Sequence, residues 1–341
     1  MNIGERQIGP DHPPYIIAEI GVNHDGSVER AIELVDAAAR AGADAIKLQL
    51  FETDRLLSRA AKLAAYQRRS GADDPFDLLR RVELPAQQMR PIVERAHRGG
   101  VQAMVSIFSV ELVPEADALP FDAFKTASTD IINRPLIESM RGTGRPLFVS
   151  TGAATLEEVR DAASWLEGHP YVFLHCVSSY PTPDDDAALG GRIAMLDVSP
   201  RAIGYSDHTR SVDTGALAVA GGARVLEKHL TYDRGAAGPD HAASLDPDGF
   251  AEYVRLAHRA FRMVGPIEKC VTDAERDVRC VSRQSLTTTR DLSAGQVIER
   301  SDLTIKRPGT GISPACLEHV LGQRLARTVE ADMPLTEDAL A

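Results

Sequence analysis

Cysteine is scarce in this chain: Cys176, Cys270, Cys280 and Cys316 are the four in 341 residues, and no two form a CxxC pair. That excludes a disulfide framework and a zinc knuckle, and it fits a reduced, cytoplasmic protein. Long apolar runs are missing too. No stretch approaches about 18 uninterrupted apolar residues, so no membrane span is expected. The opening MNIGERQIGPDHPP carries Glu5 and Asp11 and lacks the apolar core of a secretory signal. Basic blocks are absent as well. The chain has 38 Lys and Arg against 49 Asp and Glu, a net charge of −11. This argues against nucleic acid, because a phosphate backbone needs clustered cations. A small anionic substrate remains open, since a few placed cations suffice for it. There is no internal repeat and no low-complexity tract.

What is present is an alternation. Short β-branched runs at 15–22, 44–51, 102–109, 123–128, 146–152, 171–180, 202–209 and 224–231 are separated by amphipathic stretches. Ser27 can cap a helix that runs to about Arg40 with Gly42 past its end; 155–166 and 247–263 show similar apolar spacing. Eight strands, each followed by a helix, predict a (β/α)8 TIM barrel over 1–267, although a doubly wound sheet would alternate in the same way. After Gly265 the texture changes. A charged linker, 268–283, leads into 284–341, where short strands and turn residues predict a small, mostly β domain. Fully extended, that linker reaches up to roughly 50 Å.

In a barrel the active site lies at the C-terminal strand ends, and residues two apart on a strand share a face. Applied strand by strand, this rule brings Glu19, Lys47, Gln49, Lys125, Ser128, Ser150, Ser178, Tyr180, Ser206, His208, Glu227 and His229 to one end. Polar residues cost free energy inside an apolar strand unless they are satisfied, so their accumulation there points to a site. His208 and His229 come from adjacent strands and can converge on one divalent metal with open positions. As single residues they could equally be hydrogen-bonded structural histidines. Lys47 and Lys125, near Thr151-Gly152 and small hydroxyls, could bind a phosphate and a carboxylate, or could pair with Glu19 or Glu227 as interior architecture. His24 falls in a turn and reads as a backbone cap. Cys176 reads as core, and Asp184–Asp186 as a solvated loop.

Seven motifs then carry a resemblance. The runs IIAEIGVNHDGSVERAIELVDAAARAGADAIKLQ (16–49), FKTASTDIINRPLI (124–137), VSTG (149–152), LHCVSSYPTP (174–183), GYSDHT (204–209), LEKHLT (226–231) and GPDHAASLDP (238–247) resemble the sialic acid (N-acetylneuraminate) synthase family. KRPGTGISP (306–314) resembles the antifreeze-like (SAF) domain that ends those enzymes. The resemblance implies condensation of phosphoenolpyruvate with an N-acyl hexosamine, N-acetylmannosamine or a close analogue, to give a nonulosonic acid and inorganic phosphate. It implies a divalent metal, Mn2+ with Mg2+ or Co2+ as alternatives, on His208 and His229. Lys47, Ser106, Lys125, Ser128, Ser150, Ser178 and Ser206 match phosphoenolpyruvate positions. Gln49, Asp130, Tyr180, Asp240 and Arg307 match positions around the sugar, and Glu19 and Glu227 are the acid/base candidates. Asp130 stands where a glutamate is common, Ser178 where an asparagine occurs, and Ser106-Ile107 where Thr-Pro is common. A further sugar contact belongs within 58–83. The resemblance also implies a domain-swapped homodimer in which Arg307 serves the partner's sugar.

Three rivals follow. One is the same chemistry on another acceptor, as in legionaminic or pseudaminic acid synthases. Another is a Schiff-base aldolase built on Lys125, which would keep its activity in a chelator. The last is a non-catalytic sugar-binding relative, against which the retained Glu19, Lys47, Lys125, His208 and His229 weigh.

Overall fold

The computed structural model describes residues 1–63, 74–199, 203–266 and 268–341. The chain divides into two compact units, Met1–Pro266 and Ile267–Ala341. Among the described residues no helix is long and apolar enough to cross a membrane.

The first unit opens with a hairpin, β1 (Asn2–Ile3) and β2 (Arg6–Gln7). Eight parallel strands follow: β3 (Tyr15–Glu19), β4 (Ala45–Leu50), β5 (Gln102–Ile107), β6 (Ala123–Thr126), β7 (Leu147–Ser150), β8 (Tyr171–Cys176), β9 (Ile203–Asp207) and β10 (Val225–His229). They pair in chain order, and β10 closes on β3, so the expected barrel is the observed one. Each strand stops before its sequence run does. The apolar residues beyond the ends are buried by side-chain packing without strand pairing, as where Val22 meets Phe51 and Val82.

The helices follow from their ends. Ser27 accepts the Arg30 N–H at the start of Val28–Ala41, and Gly42 closes that helix at φ 86°. Thr155 and Glu158 form a reciprocal capping box on Leu156–Trp165. Helix faces such as Leu34, Val35, Met89 and Ile92 cover the outward strand residues Ile16, Ala18, Ile46 and Leu48 in one continuous core.

The strand period of two sorts the barrel interior into layers. Lower inward positions are apolar: Tyr15, Ile17, Ala45, Met104, Ala123, Phe148, Val172 and Val225 pack together. Ile3 and Ile8 of the hairpin segment join that cluster and close the barrel floor. The inward positions one step higher are polar. Register places Lys47 beside Glu19, Glu19 beside His229, Ser106 beside Lys125, and Ser206 beside Glu227. One ring of chemistry therefore rests on an apolar base.

The second unit pairs β11 (Ser285–Thr288) with antiparallel β12 (Leu303–Lys306). Its core gathers Leu286, Leu292, Ile298, Leu303, Val320, Leu325, Val329 and Leu335. The segment 268–283, read as a charged linker, carries local structure of its own. Thr272 and Glu275 form a capping box, Arg276–Ser282 is helical, and the Cys280 carbonyl accepts the Gly309 N–H at 2.8 Å. A helix rises only about 1.5 Å per residue, so the segment's reach falls well short of the extended length.

Candidate active site

The polar ring lines a cavity of about 370 Å3 at the C-terminal ends of the strands. That volume suits a small molecule. Lys47, from β4, is buried and paired with Glu19; its Nζ also donates to Ser106 Oγ at 2.8 Å and lies 3.8 Å from Glu227 Oε1. Lys125, from β6, lies 3.4 Å from the same Glu227 oxygen. Ser206 Oγ donates to that oxygen at 3.0 Å. The lysines are thus ion-paired, and they also line the cavity.

Burial treats the two glutamates differently. It pushes Glu19 up to about 7 against the pull of Lys47, and the neighbouring Glu227 anion adds to the rise. Burial also acts to raise Glu227, but Lys125, Lys47 and the Ser206 hydroxyl outweigh it and hold Glu227 below its usual value. Glu19 is therefore the carboxyl poised to exchange a proton near neutrality, and Glu227 is a fixed anion. Burial lowers Lys125, opposed chiefly by Glu227, whereas Glu19 and Glu227 overcome burial at Lys47 and raise it.

The two imidazoles stand with ring centroids 5.6 Å apart, and the Tyr180 ring lies 4.1 Å from that of His208. His208 Nδ1 contacts the Val177 carbonyl at 2.8 Å, so Nδ1 carries the proton and Nε2 keeps a lone pair. Burial pushes His208 down to about 4 and His229 well below its usual value, so both are neutral at pH 7. His229 Nδ1 is buried with no hydrogen-bond partner, and Asp240 Oδ2 lies 3.7 Å away. Among the described residues no group of three or more His, Cys, Asp or Glu forms a closed cage. Two neutral imidazoles, one with an orphaned nitrogen, fit a divalent ion that keeps open positions.

A hydroxyl cluster completes the well. Ser128 Oγ donates to Ser150 Oγ at 3.0 Å, and Cys176 Sγ lies 3.1 and 3.2 Å from the two oxygens. Gly152 permits this convergence: a Cβ there would sit 2.3 Å from Ser178 Oγ and 2.7 Å from Cys176 Sγ. Cys176 was read as core, yet it belongs to this cluster. Its position two residues before Ser178 was the available signal. Phe108, Ala127 and Thr129 also line the cavity and carry no sequence signal of chemistry.

Of the sequence-derived candidates, Glu19, Lys47, Gln49, Ser106, Lys125, Ser128, Ser150, Ser178, Tyr180, Ser206, His208, Glu227, His229 and Asp240 all line the well. Two do not. Asp130 sits in the short helix Ser128–Ile132 with Oδ2 buried and unpartnered, and burial pushes its carboxyl up to about 6. Arg307 is exposed on the second unit. Residues 64–73, within the stretch expected to supply a further sugar contact, lie outside the described residues.

A (β/α)8 barrel with a buried cationic well and a paired-histidine rim defines a synthase-like active site, and the comparisons agree. Residues 34–269 match the NeuB family and 283–341 match the SAF domain. The chain belongs to the NeuB family, an enzyme family of synthases. It is 36% identical to N,N'-diacetyllegionaminic acid synthase of Legionella pneumophila over 94% of this chain and 93% of that one. It is 29% identical to N-acetylneuraminate-9-phosphate synthase of Mus musculus, covering 98% and 95%. The solved N-acetylneuraminic acid synthetase of Leptospira borgpetersenii, in complex with citrate, superposes with a TM-score of 0.76 at 29% identity, covering 82% of this chain and 94% of that one.

Proposed function

We propose that this enzyme condenses phosphoenolpyruvate with an open-chain N-acyl hexosamine: the enol C3 forms a carbon–carbon bond to the aldehyde carbon, one water adds at C2, and the C2–O bond to phosphate breaks to release inorganic phosphate. The observation that carries the reading is the single well in which two buried lysines, a hydroxyl cluster and two neutral imidazoles meet. Lys47 and Lys125 offset the charge of a phosphate and a carboxylate, and Ser128, Ser150, Ser178 and Ser206 orient them through short hydrogen bonds. Glu19 takes up and returns a proton near neutrality, while Glu227 keeps both lysines charged between turnovers. Gln49, Tyr180 and Asp240 line the side where the acceptor lies. His208 and His229 would hold a divalent ion, Mn2+ in this reading; when bound, it supplies Lewis acidity toward an acceptor carbonyl.

N-acetylmannosamine or a close analogue is the acceptor proposed from the motifs. The higher identity to the legionaminic acid synthase supports a second reading, a 6-deoxy diamino analogue. Phosphate release from phosphoenolpyruvate with N-acetylmannosamine, the diamino analogue and unacetylated mannose tests both. Release with no N-acylated sugar, or undiminished release in EDTA, sinks the proposal; the EDTA result would favour a Schiff base on Lys125.

The reading includes a homodimer in which Arg307 acts in trans, supported by the motif resemblance. An Arg307→Ala chain mixed with a His208→Ala chain then recovers activity. No recovery after confirmed subunit exchange rejects the trans role.

A further inference from the structure

The motif NHDG, at the end of the first barrel run, is left unused by the chemistry above. Its first two residues are buried, Asn23 at 0% and His24 at 1% exposed, and Asp25 is partly buried. They form a tight turn, with Asp25 N–H donating to the Val22 carbonyl and Ser27 N–H to the His24 carbonyl. Across the barrel closure lies the loop that follows β10. Its base is zipped by backbone bonds, His229 C=O accepting from Leu245 and Leu245 C=O accepting from Thr231. Its far part carries Asp240, whose carboxyl faces His229 and lines the cavity. The loop's own backbone bonds near Asp240 are short-range, from Ala243 N–H to Asp240 C=O and from Ser244 N–H to His241 C=O. They shape a local turn but do not tie it to the barrel.

Two side chains of the NHDG turn make that tie, at Ser244 and at His241, both just after Asp240. Asn23 Nδ2 donates to the Leu230 carbonyl at 2.9 Å and to Ser244 Oγ at 2.8 Å. Ser244 Oγ in turn donates to the Asp240 carbonyl at 2.7 Å. Asp25 makes the second tie. Its Oδ1 lies 3.0 Å from Nε2 of His241, the neighbour of Asp240, and its Oδ2 accepts from Tyr232 OH at 2.7 Å and from Arg30. The His241 ring is held at its other nitrogen by Thr231 Oγ1 at 2.7 Å. Gly238 gives the ring room, since a Cβ there would sit 2.6 Å from His241 Cδ2.

We infer that Asn23 and Asp25 are positioning residues: the turn after β3 holds Asp240 against the cavity through Ser244 and His241. A loop fixed only at its base, Thr231 and Leu245, would leave a carboxyl five residues from the nearer anchor free to swing. A site 1 Å too loose loses catalytic geometry even when all its groups are present. Neither Asn23 nor Asp25 touches the well.

The kinetic arm of the test rests on the function proposed above; the exchange arm does not. Hydrogen exchange of the full chain, followed by mass spectrometry, reads the loop without substrate. Exchange over 238–244 rises about tenfold or more in Asp25→Asn, which loses an anchoring bond to a carboxylate, and about threefold to tenfold in Ser244→Ala, which loses neutral ones, while β3 and β10 stay protected. Ser244→Ala removes one hydroxyl and keeps the test available if Asp25→Asn folds poorly. In turnover, Asp25→Asn raises the acceptor KM about tenfold and leaves phosphoenolpyruvate affinity by calorimetry unchanged. Added to Asp240→Asn it costs little more, within about threefold, because the strap has nothing left to place. Unchanged exchange in both variants overturns the inference, as do losses that multiply in the double variant. If the wild-type chain turns over no N-acyl sugar, the proposed function falls and the exchange result still decides the strap.

Discussion

Removing the charge of Glu227 without changing its shape tests the electrostatic design of the well. In Glu227→Gln the amide oxygen can still accept from Ser206, and no volume is lost. What disappears is the anion 3.4 Å from Lys125 and 3.8 Å from Lys47. At an effective dielectric of about 20, unit charges at these distances attract by about 5 and 4 kcal/mol respectively. Relief of the Glu19–Glu227 repulsion returns part of this, and Lys47 keeps Glu19. Lys125 has no second carboxylate at ion-pair distance among the described residues. Stranding a buried cation costs about 3–5 kcal/mol, so that is the expected destabilisation near pH 7. The sign of the pH dependence follows from Lys125. Its folded pKa is already lowered by burial and falls further without Glu227. Between that value and the unfolded one the unfolded chain binds more protons, so stability rises with pH and the variant's deficit narrows toward about pH 9.

The assay is urea unfolding at both pH values, read by fluorescence. The chain has one tryptophan, Trp165, on a barrel helix, so the signal reports the first unit. Saturating phosphoenolpyruvate restores more stability to the variant than to the wild type, because its anions replace the missing one. Equal stability of variant and wild type at both pH values, or a loss of phosphoenolpyruvate binding, would refute the assigned role of Glu227.

Further outcomes are expected. His208→Ala or His229→Ala abolishes turnover and weakens Mn2+ binding by at least about a hundredfold, with the far-ultraviolet circular dichroism unchanged; Mn2+ affinity like that of the wild type, measured by paramagnetic resonance, rejects the ligand assignment. Lys47→Ala and Lys125→Ala each weaken phosphoenolpyruvate binding by one to two decades, or about 1.5–3 kcal/mol, in calorimetry. Asp130, raised to about 6 by burial, binds a proton in the folded chain before the unfolded one does, so its contribution to stability falls as pH rises from about 4 to 6. Asp130→Asn removes that slope, and an unchanged stability–pH curve from the denaturation midpoints counts against the shift.

The barrel was legible because its signals are local and repeated: eight β-branched runs, caps such as Ser27 and Thr155, and strand parity. Parity alone brought Lys47, Lys125, Glu227 and His229 to one end. The short helix in 268–283 was not legible, because its capping box is only four residues long and the helix buries none of its own side chains. Cys176 is buried as read, but its contacts with Ser128 and Ser150 were signalled only by its strand parity with Ser178. The difference between Glu19 and Glu227 was not legible at all. It arises from which lysine each glutamate meets across the barrel, and that is set by register and rotamer.

Among the described residues Ile3 and Ile8 close the floor of the barrel, so the well opens at the C-terminal ends of the strands. Traffic through one mouth has an order. Whatever occupies the bottom must arrive first and leave last, and a second reactant seated above it acts as a stopper. With the lysines and hydroxyls deep in the ring and Tyr180 and Asp240 nearer the rim, the function proposed above would have the anion enter before the sugar, and the water that the reaction consumes would share the same mouth.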